Sequence, residues 1–151
     1  MTVEVRQTTA RDPAFDDVSD LFNAYRAHYG CPGSNELTRR WLEQQLDEQR
    51  LQVATAVLDH RALGFITTTV VPASLTLRTA WLIRDLYVDP VHRRRGVARA
   101  LLQHVMDGAR ASGAHRLSLH TETGNTAAHA LYTAAGFQPV TGLVLLNLML
   151  T

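Results

Sequence analysis

Lysine is missing from this chain. All 15 basic residues among its 151 are arginine. That excludes a Gly-Lys-Ser/Thr phosphate loop, a kinase-type catalytic lysine and a Schiff-base lysine. Arginine-only usage also fits the codon bias of a G+C-rich bacterial genome. The single cysteine, Cys31, excludes an intramolecular disulfide and a multi-cysteine zinc site. It stands in a Gly/Pro loop with no motif around it and reads as incidental. The longest apolar-rich run, LVLLNLML at 143–150, is far short of the ~20 residues that cross a bilayer. The opening MTVEVRQTTARD lacks the apolar stretch of a secretory signal. The expectation is a soluble cytoplasmic protein with no membrane partner. Gly-x-Ser-x-Gly and His-Glu-x-x-His signatures are absent, and His120-Thr121-Glu122 lacks the cysteine pair of a zinc deaminase. No metal site is expected. An excess of one charge is missing too: 15 basic residues meet 14 acidic ones, which speaks against a dedicated polyanion-binding arm.

What is present is an ordinary globular mixture, 46% hydrophobic and 19% charged. The length suits one domain over residues 1–151 with a real core. Val3–Thr8 alternates as a strand. Asp12-Pro13 suits a helix start, and Leu21, Phe22, Tyr25 and Tyr29 recur at helical spacing. Gly30-Cys31-Pro32-Gly33 is a break. Ser34 or Asn35 then starts a second helix with Leu37, Trp41, Leu42 and Leu46 on one side, Trp41 being assigned to the core. Residues 51–58 and 62–71 read as strands joined at Asp59-His60-Arg61, and 75–88 as a long strand stopping at Asp89-Pro90. Gly96–Ala111 carries an apolar stripe of Val97, Leu101, Leu102, Val105 and Ala109. Leu117–Thr121 is a short strand, and Asn125–Ala135 a helix capped by Asn125 and Gly136. Val144–Leu150 is apolar on both faces and reads as a central strand, with room for one more short strand around 138–141. The order β-α-α-β-β-β-α-β-α-β-β predicts a mixed α/β fold with a partly parallel sheet.

The chemistry concentrates in DLYVDPVHRRRGVARALL, Asp85–Leu102. A strand ends at Val88, a turn containing Pro90 follows, and Arg93-Arg94-Arg95-Gly96-Val97-Ala98 opens directly into an amphipathic helix. A helix N-terminus offers unpaired N–H groups and partial positive charge, so anions bind there. Gly96 and Ala98 are small enough for a phosphate to approach the backbone, and the arginines add fork-shaped donors. The segment reads as a pyrophosphate cradle built without lysine, or as a solvated basic loop ahead of a core-packed helix. A nucleic-acid patch is opposed by the near-zero net charge and by the lack of aromatic residues interleaved with basic ones.

Arg93, Gly96 and Ala98 follow a strand and a Val88-Asp89-Pro90 turn. Asn125, Ala127, Ala128, Tyr132 and Gly136-Phe137 come about thirty residues on. Together these resemble the signature of the GNAT superfamily of acetyl-CoA-dependent N-acetyltransferases, with Ala98 where glycine is commoner. The order of elements fits that fold along nearly the whole chain. YRAHYG at 25–30 and WLIRDLYVDPVHRRRGVARALL at 81–102 are similar to a bacterial branch related to the yeast histone and polyamine acetyltransferases. The implied architecture is a central mixed sheet of about six or seven strands flanked by about four helices.

The resemblance implies acetyl-CoA as cosubstrate and direct attack by a primary amine in a ternary complex. By similarity, Leu86, Tyr87 and Val88 give backbone N–H and C=O groups to the pantetheine arm, one N–H polarising the thioester carbonyl. The N–H groups of Arg94, Arg95, Gly96, Val97, Ala98 and Arg99 would hold the pyrophosphate, and arginine side chains from Arg93 onward the 3′-phosphate. Asn125, with Ala128 beside it, would meet the cofactor arm, order its loop or simply cap its helix. Tyr132 is the family's usual general acid, placed to protonate the leaving thiolate; packing as a core aromatic beside Leu131 is the other reading. An alkylammonium has a pKa of about 10, so a base or a water chain must take a proton. Asp85 is the nearest carboxylate, provided a bulge turns it to the site. His120 is the second candidate. Arg84 stands where some polyamine enzymes carry an acid, which speaks against polyamines. With Arg84, Tyr25 and Tyr29 are the substrate-side candidates, at a spacing equally suited to packing. A non-catalytic acyl-CoA-binding sensor or partner subunit is the alternative, and a homodimer would match many relatives.

Overall fold

A two-residue turn sets the register of the sheet. Asp59 and His60 take φ of 50° and 65°, the pair of positive values that a type I′ hairpin requires. They join β2 (Gln52–Leu58) to β3 (Arg61–Ala73), with Leu58 opposite Arg61. The computed structural model describes residues 2–151. Its sheet runs β1-β2-β3-β4-β5, with β1 at Glu4–Thr8, β4 at Arg78–Val88 and β5 at Arg116–Leu119. Neighbours are antiparallel except β4 and β5, which are parallel. The chain divides into two units, one through His120 and one from Thr121 to Thr151.

Within the first unit the helices are α1 (Phe15–His28), α2 (Asn35–Asp47) and α3 (Val97–Ala111). Burial along β3 is continuous from Ala62 to Thr68, the pattern of a strand covered on both faces. Phe65 packs with Phe15, Val18, Phe22 and Leu42 on the α1–α2 side. On α3, the predicted stripe of Val97, Leu101, Leu102, Val105 and Ala109 is buried as a set. Ser34 caps α2, its side chain accepting the Leu37 N–H at 3.2 Å.

Several expectations are corrected. Helix α1 begins at Phe15, later than Asp12 suggested. Asp12 instead accepts the Ala14 N–H at 2.8 Å and pairs with Arg6 at 2.9 Å, spending its carboxylate on the turn before the helix. Trp41 lies against Phe22 but is 49% exposed, so it borders the core. Strand β3 continues through Pro72-Ala73, and the break is a 3₁₀ turn at Ser74–Thr76.

In the second unit the helix is α4 (Thr126–Ala135). Asn125 accepts the Ala128 N–H at 3.2 Å, and Gly136 closes the helix at φ 103°, both as predicted. The strands expected at 138–141 and 144–150 do not form, so the described residues hold five strands rather than six or seven. Val144–Leu150 is exposed rather than central, Leu146 by 84%. An apolar run reports which residues favour burial; a strand also needs a neighbour to complete its ladder. No helix among the described residues is long and apolar enough to cross a membrane.

Candidate active site

The last two strands of the sheet part. Strand β5 pairs with β4 from Ala80–Arg116 to Ile83–Leu119 and ends there. The strand continues, and residues 85–88 pair with β3 alone. The Asp89 N–H donates to the Leu63 carbonyl at 2.8 Å. In an antiparallel ladder the main-chain groups alternate between the two sides, so those of Val88 and Leu86 face the side that β5 has left. Arg93 corroborates this: its Nε donates to the Val88 carbonyl at 3.0 Å, and its guanidinium stacks 5.4 Å from the Tyr87 ring. Where the resemblance gives the Val88 carbonyl to a pantetheine arm, here Arg93 engages it.

The pairing of β3 with β4 slips by one residue. Asp85 faces Thr67, but Ile83 faces Thr68, leaving Arg84 as the extra residue of a bulge. The slip reverses which side chains point where. Before it, Trp81 lies on the α3 side, its ring 3.3 Å from where a Cβ on Gly108 would stand. After it, Tyr87 packs with Phe65 and Tyr25 on the α1 side, and Asp85, two residues earlier, shares that side. Tyr25 Oη donates to Asp85 Oδ1 at 2.8 Å, and Thr67 Oγ1 to Asp85 Oδ2 at 2.5 Å. Tyr25 sits edge-on to Tyr29 and Phe65 at 5.3 and 5.7 Å.

The basic segment follows a 3₁₀ turn at Pro90–His92 that Asp89 caps by accepting the Val91 N–H at 3.1 Å. Arg94 and Gly96 take positive φ, 63° and 79°. Gly96 is the N-cap of α3 and brings no side chain to cap it, so the first-turn N–H groups remain available to an anion. Val97 is buried and anchors the helix, Ala98 is half-buried, and Arg94, Arg95 and Arg99 are exposed.

The structure thus brings together Asp85, Tyr25, Tyr29, Tyr87 and Arg93, and places Leu86 and Val88 along the parted edge. Arg84 is exposed at the bulge. His120 is exposed just past β5. Asn125, Ala128 and Tyr132 belong to the second unit, where Tyr132 packs edge-on to Phe137 at 5.6 Å. Sequence reasoning missed Thr67. Its only signal was a position in the β-branched run TTTVV, which singles out none of the three threonines.

A model of the acetyltransferase (GNAT) family matches residues 17–137. The chain belongs to the GNAT family. An N-acetyltransferase of Bacillus subtilis, YhfO, is 28% identical over 142 residues, 94% of each chain. An alanine N-acetyltransferase of ribosomal protein bS18 from Salmonella typhimurium is 37% identical over 83 residues, 55% of this chain and 52% of the relative. A crystal structure of a probable acetyltransferase superposes with a TM-score of 0.91 at 31% identity, covering 98% of both chains. This GNAT protein is accordingly an N-acetyltransferase, and its mixed α/β architecture is that of the family.

Proposed function

We propose that this GNAT enzyme transfers the acetyl group of acetyl-CoA to a primary amine by direct attack in a ternary complex, acting in the bacterial cytoplasm as one catalytic domain over 1–151. The parting of β4 from β5 carries the reading. It leaves the main-chain groups of Leu86 and Val88 without a strand partner, and an amide-bearing arm such as pantetheine binds such an edge as an added strand. The first turn of α3, with Gly96 at its head and Arg94, Arg95 and Arg99 around it, supplies N–H donors and positive charge to the pyrophosphate.

In this reading Asp85 receives the amine's proton. The N–H bond of the ammonium breaks, an O–H bond forms on the carboxylate, and the freed nitrogen pair attacks the thioester carbonyl. A main-chain N–H from Leu86–Val88 stabilises the developing oxyanion. Collapse breaks the C–S bond, Tyr132 protonates the leaving thiolate, and the second proton, shed by the nitrogen as it becomes an amide, returns to the Tyr132 oxygen. Tyr132, Asn125 and Ala128 take their roles from the family pattern. The bS18-directed relative supports including a peptide α-amine among the acceptors.

Thermal unfolding with acetyl-CoA, free CoA and ATP tests the cofactor assignment. A ligand at about a hundred times its Kd adds about 2.7 kcal/mol, several degrees for a domain of this size. Both CoA species should raise Tm and ATP should not. Thiol release with benzylamine or an alanine-initiated tripeptide then tests transfer. A Tm rise without release from any amine would favour a CoA-binding sensor instead.

A further inference from the structure

The surroundings of Asp85 are more elaborate than those of a surface carboxylate. Both oxygens accept a hydroxyl, Oδ1 from Tyr25 and Oδ2 from Thr67, so each end of the carboxyl group is held by its own donor. The donors come from α1 and β3, so three elements converge on one group. Thr67 is fully buried directly opposite Asp85, where a hydroxyl without a partner would be costly. The bulge at Arg84 is what aims the carboxylate at these donors.

We propose that Thr67 and Tyr25 are positioning residues, fixing Asp85 as the acceptor of the amine's proton; the inference rests on the acetyl-transfer reading above. Each carboxylate oxygen keeps lone-pair capacity beyond the bond that it accepts. The two hydroxyls hold the plane of the carboxylate so that this capacity points at one place. Tyr29 and Tyr87, 5.3 and 5.5 Å from the Tyr25 ring, add aromatic faces and edges beside it. Aromatic faces favour an ammonium over a neutral group, and Tyr87 already stacks with the Arg93 cation. Asp85 is the single acid of β4, so the array suits one ammonium rather than the several of a polyamine.

The test is acetyl transfer to benzylamine and to an alanine-initiated tripeptide, read by thiol release, in Thr67→Val, Thr67→Ser, Tyr25→Phe, Asp85→Asn and the Thr67→Val/Asp85→Asn double variant. Thr67→Val keeps the shape and removes the hydroxyl. It should lower kcat about tenfold, the loss of one charge-assisted hydrogen bond, with KM for acetyl-CoA unchanged. Thr67→Ser restores the hydroxyl and should restore kcat. In the Asp85→Asn background, Thr67→Val should cost nothing more. Equal losses in the valine and serine variants, or a valine penalty that persists in full without Asp85, overturn the proposal. Should Thr67→Val fail to fold, Tyr25→Phe with its own Asp85→Asn cycle decides by the same criteria. A wild-type enzyme that releases no thiol with either amine fails the acetyl-transfer reading and takes this one with it. Release that survives both Thr67→Val and Tyr25→Phe unchanged overturns the positioning role alone.

Discussion

Gly64 is where a single methyl group would matter most. A Cβ there would stand 2.8 Å from the Tyr87 carbonyl oxygen and 3.2 Å from the Val88 Cα, both backbone atoms of the parted edge. Gly64→Ala should therefore push β3 from β4 at the end that carries the candidate cofactor contacts. The expected cost is about 1–3 kcal/mol, typical of overpacking, seen as a lower urea midpoint together with a smaller Tm rise on acetyl-CoA. An unchanged midpoint would mean that the ladder yields freely there. At this scale the sequence was readable where a residue's chemistry is local. Asn125 and Gly136 behave as caps because capping depends on a few neighbouring atoms. Asp85 could be named as a carboxylate near the right strand, but its partners come from residues 18 and 60 positions away, and no local pattern points to them.

Elements whose signal is periodic were recovered nearly to the residue. The five-member stripe of α3 is buried as a set, and β2 and β3 meet at the expected hairpin tip. Elements whose signal depends on a neighbour were not. The apolar run at 143–150 forms no strand. The start of α1 belongs to the second kind, because Asp12 is drawn to Arg6 on β1. That hydrogen bond from the Arg6 guanidinium holds the Asp12 carboxyl below its ordinary value of 3.8. A carboxylate lowered in the folded state contributes stability that is complete above the unfolded value and is lost as pH falls through the folded one. Asp12→Asn should therefore lower Tm at neutral pH. The gap to wild type should close as pH drops below about 4, measured by thermal melts across that range. A gap that stays constant with pH would mean that the carboxylate's charge is not what fastens β1 to α1.

At the scale of the whole chain, the conspicuous surface is the C-terminal run. Leu143, Val144, Leu145, Leu146, Leu148, Met149 and Leu150 are each at least 68% exposed, and apolar side chains exposed at this density favour association. Self-association is the expected outcome, with sedimentation velocity giving a concentration-dependent species that Leu146→Asp with Leu148→Asp abolishes. A wild-type chain that stays monomeric throughout would contradict it. The bulge has a consequence at this scale as well. One unpaired residue, Arg84, acts on the sheet as an inserted letter acts on a triplet code, because everything downstream changes frame. Positions 78–83 are read by the packing beneath α3 in one frame, and positions 85–88 by the chemistry beneath α1 in the other. The two halves of a single strand are thereby free to diversify independently. One half of the strand can thus be rewritten at 85–88 without shifting the frame in which 78–83 pack.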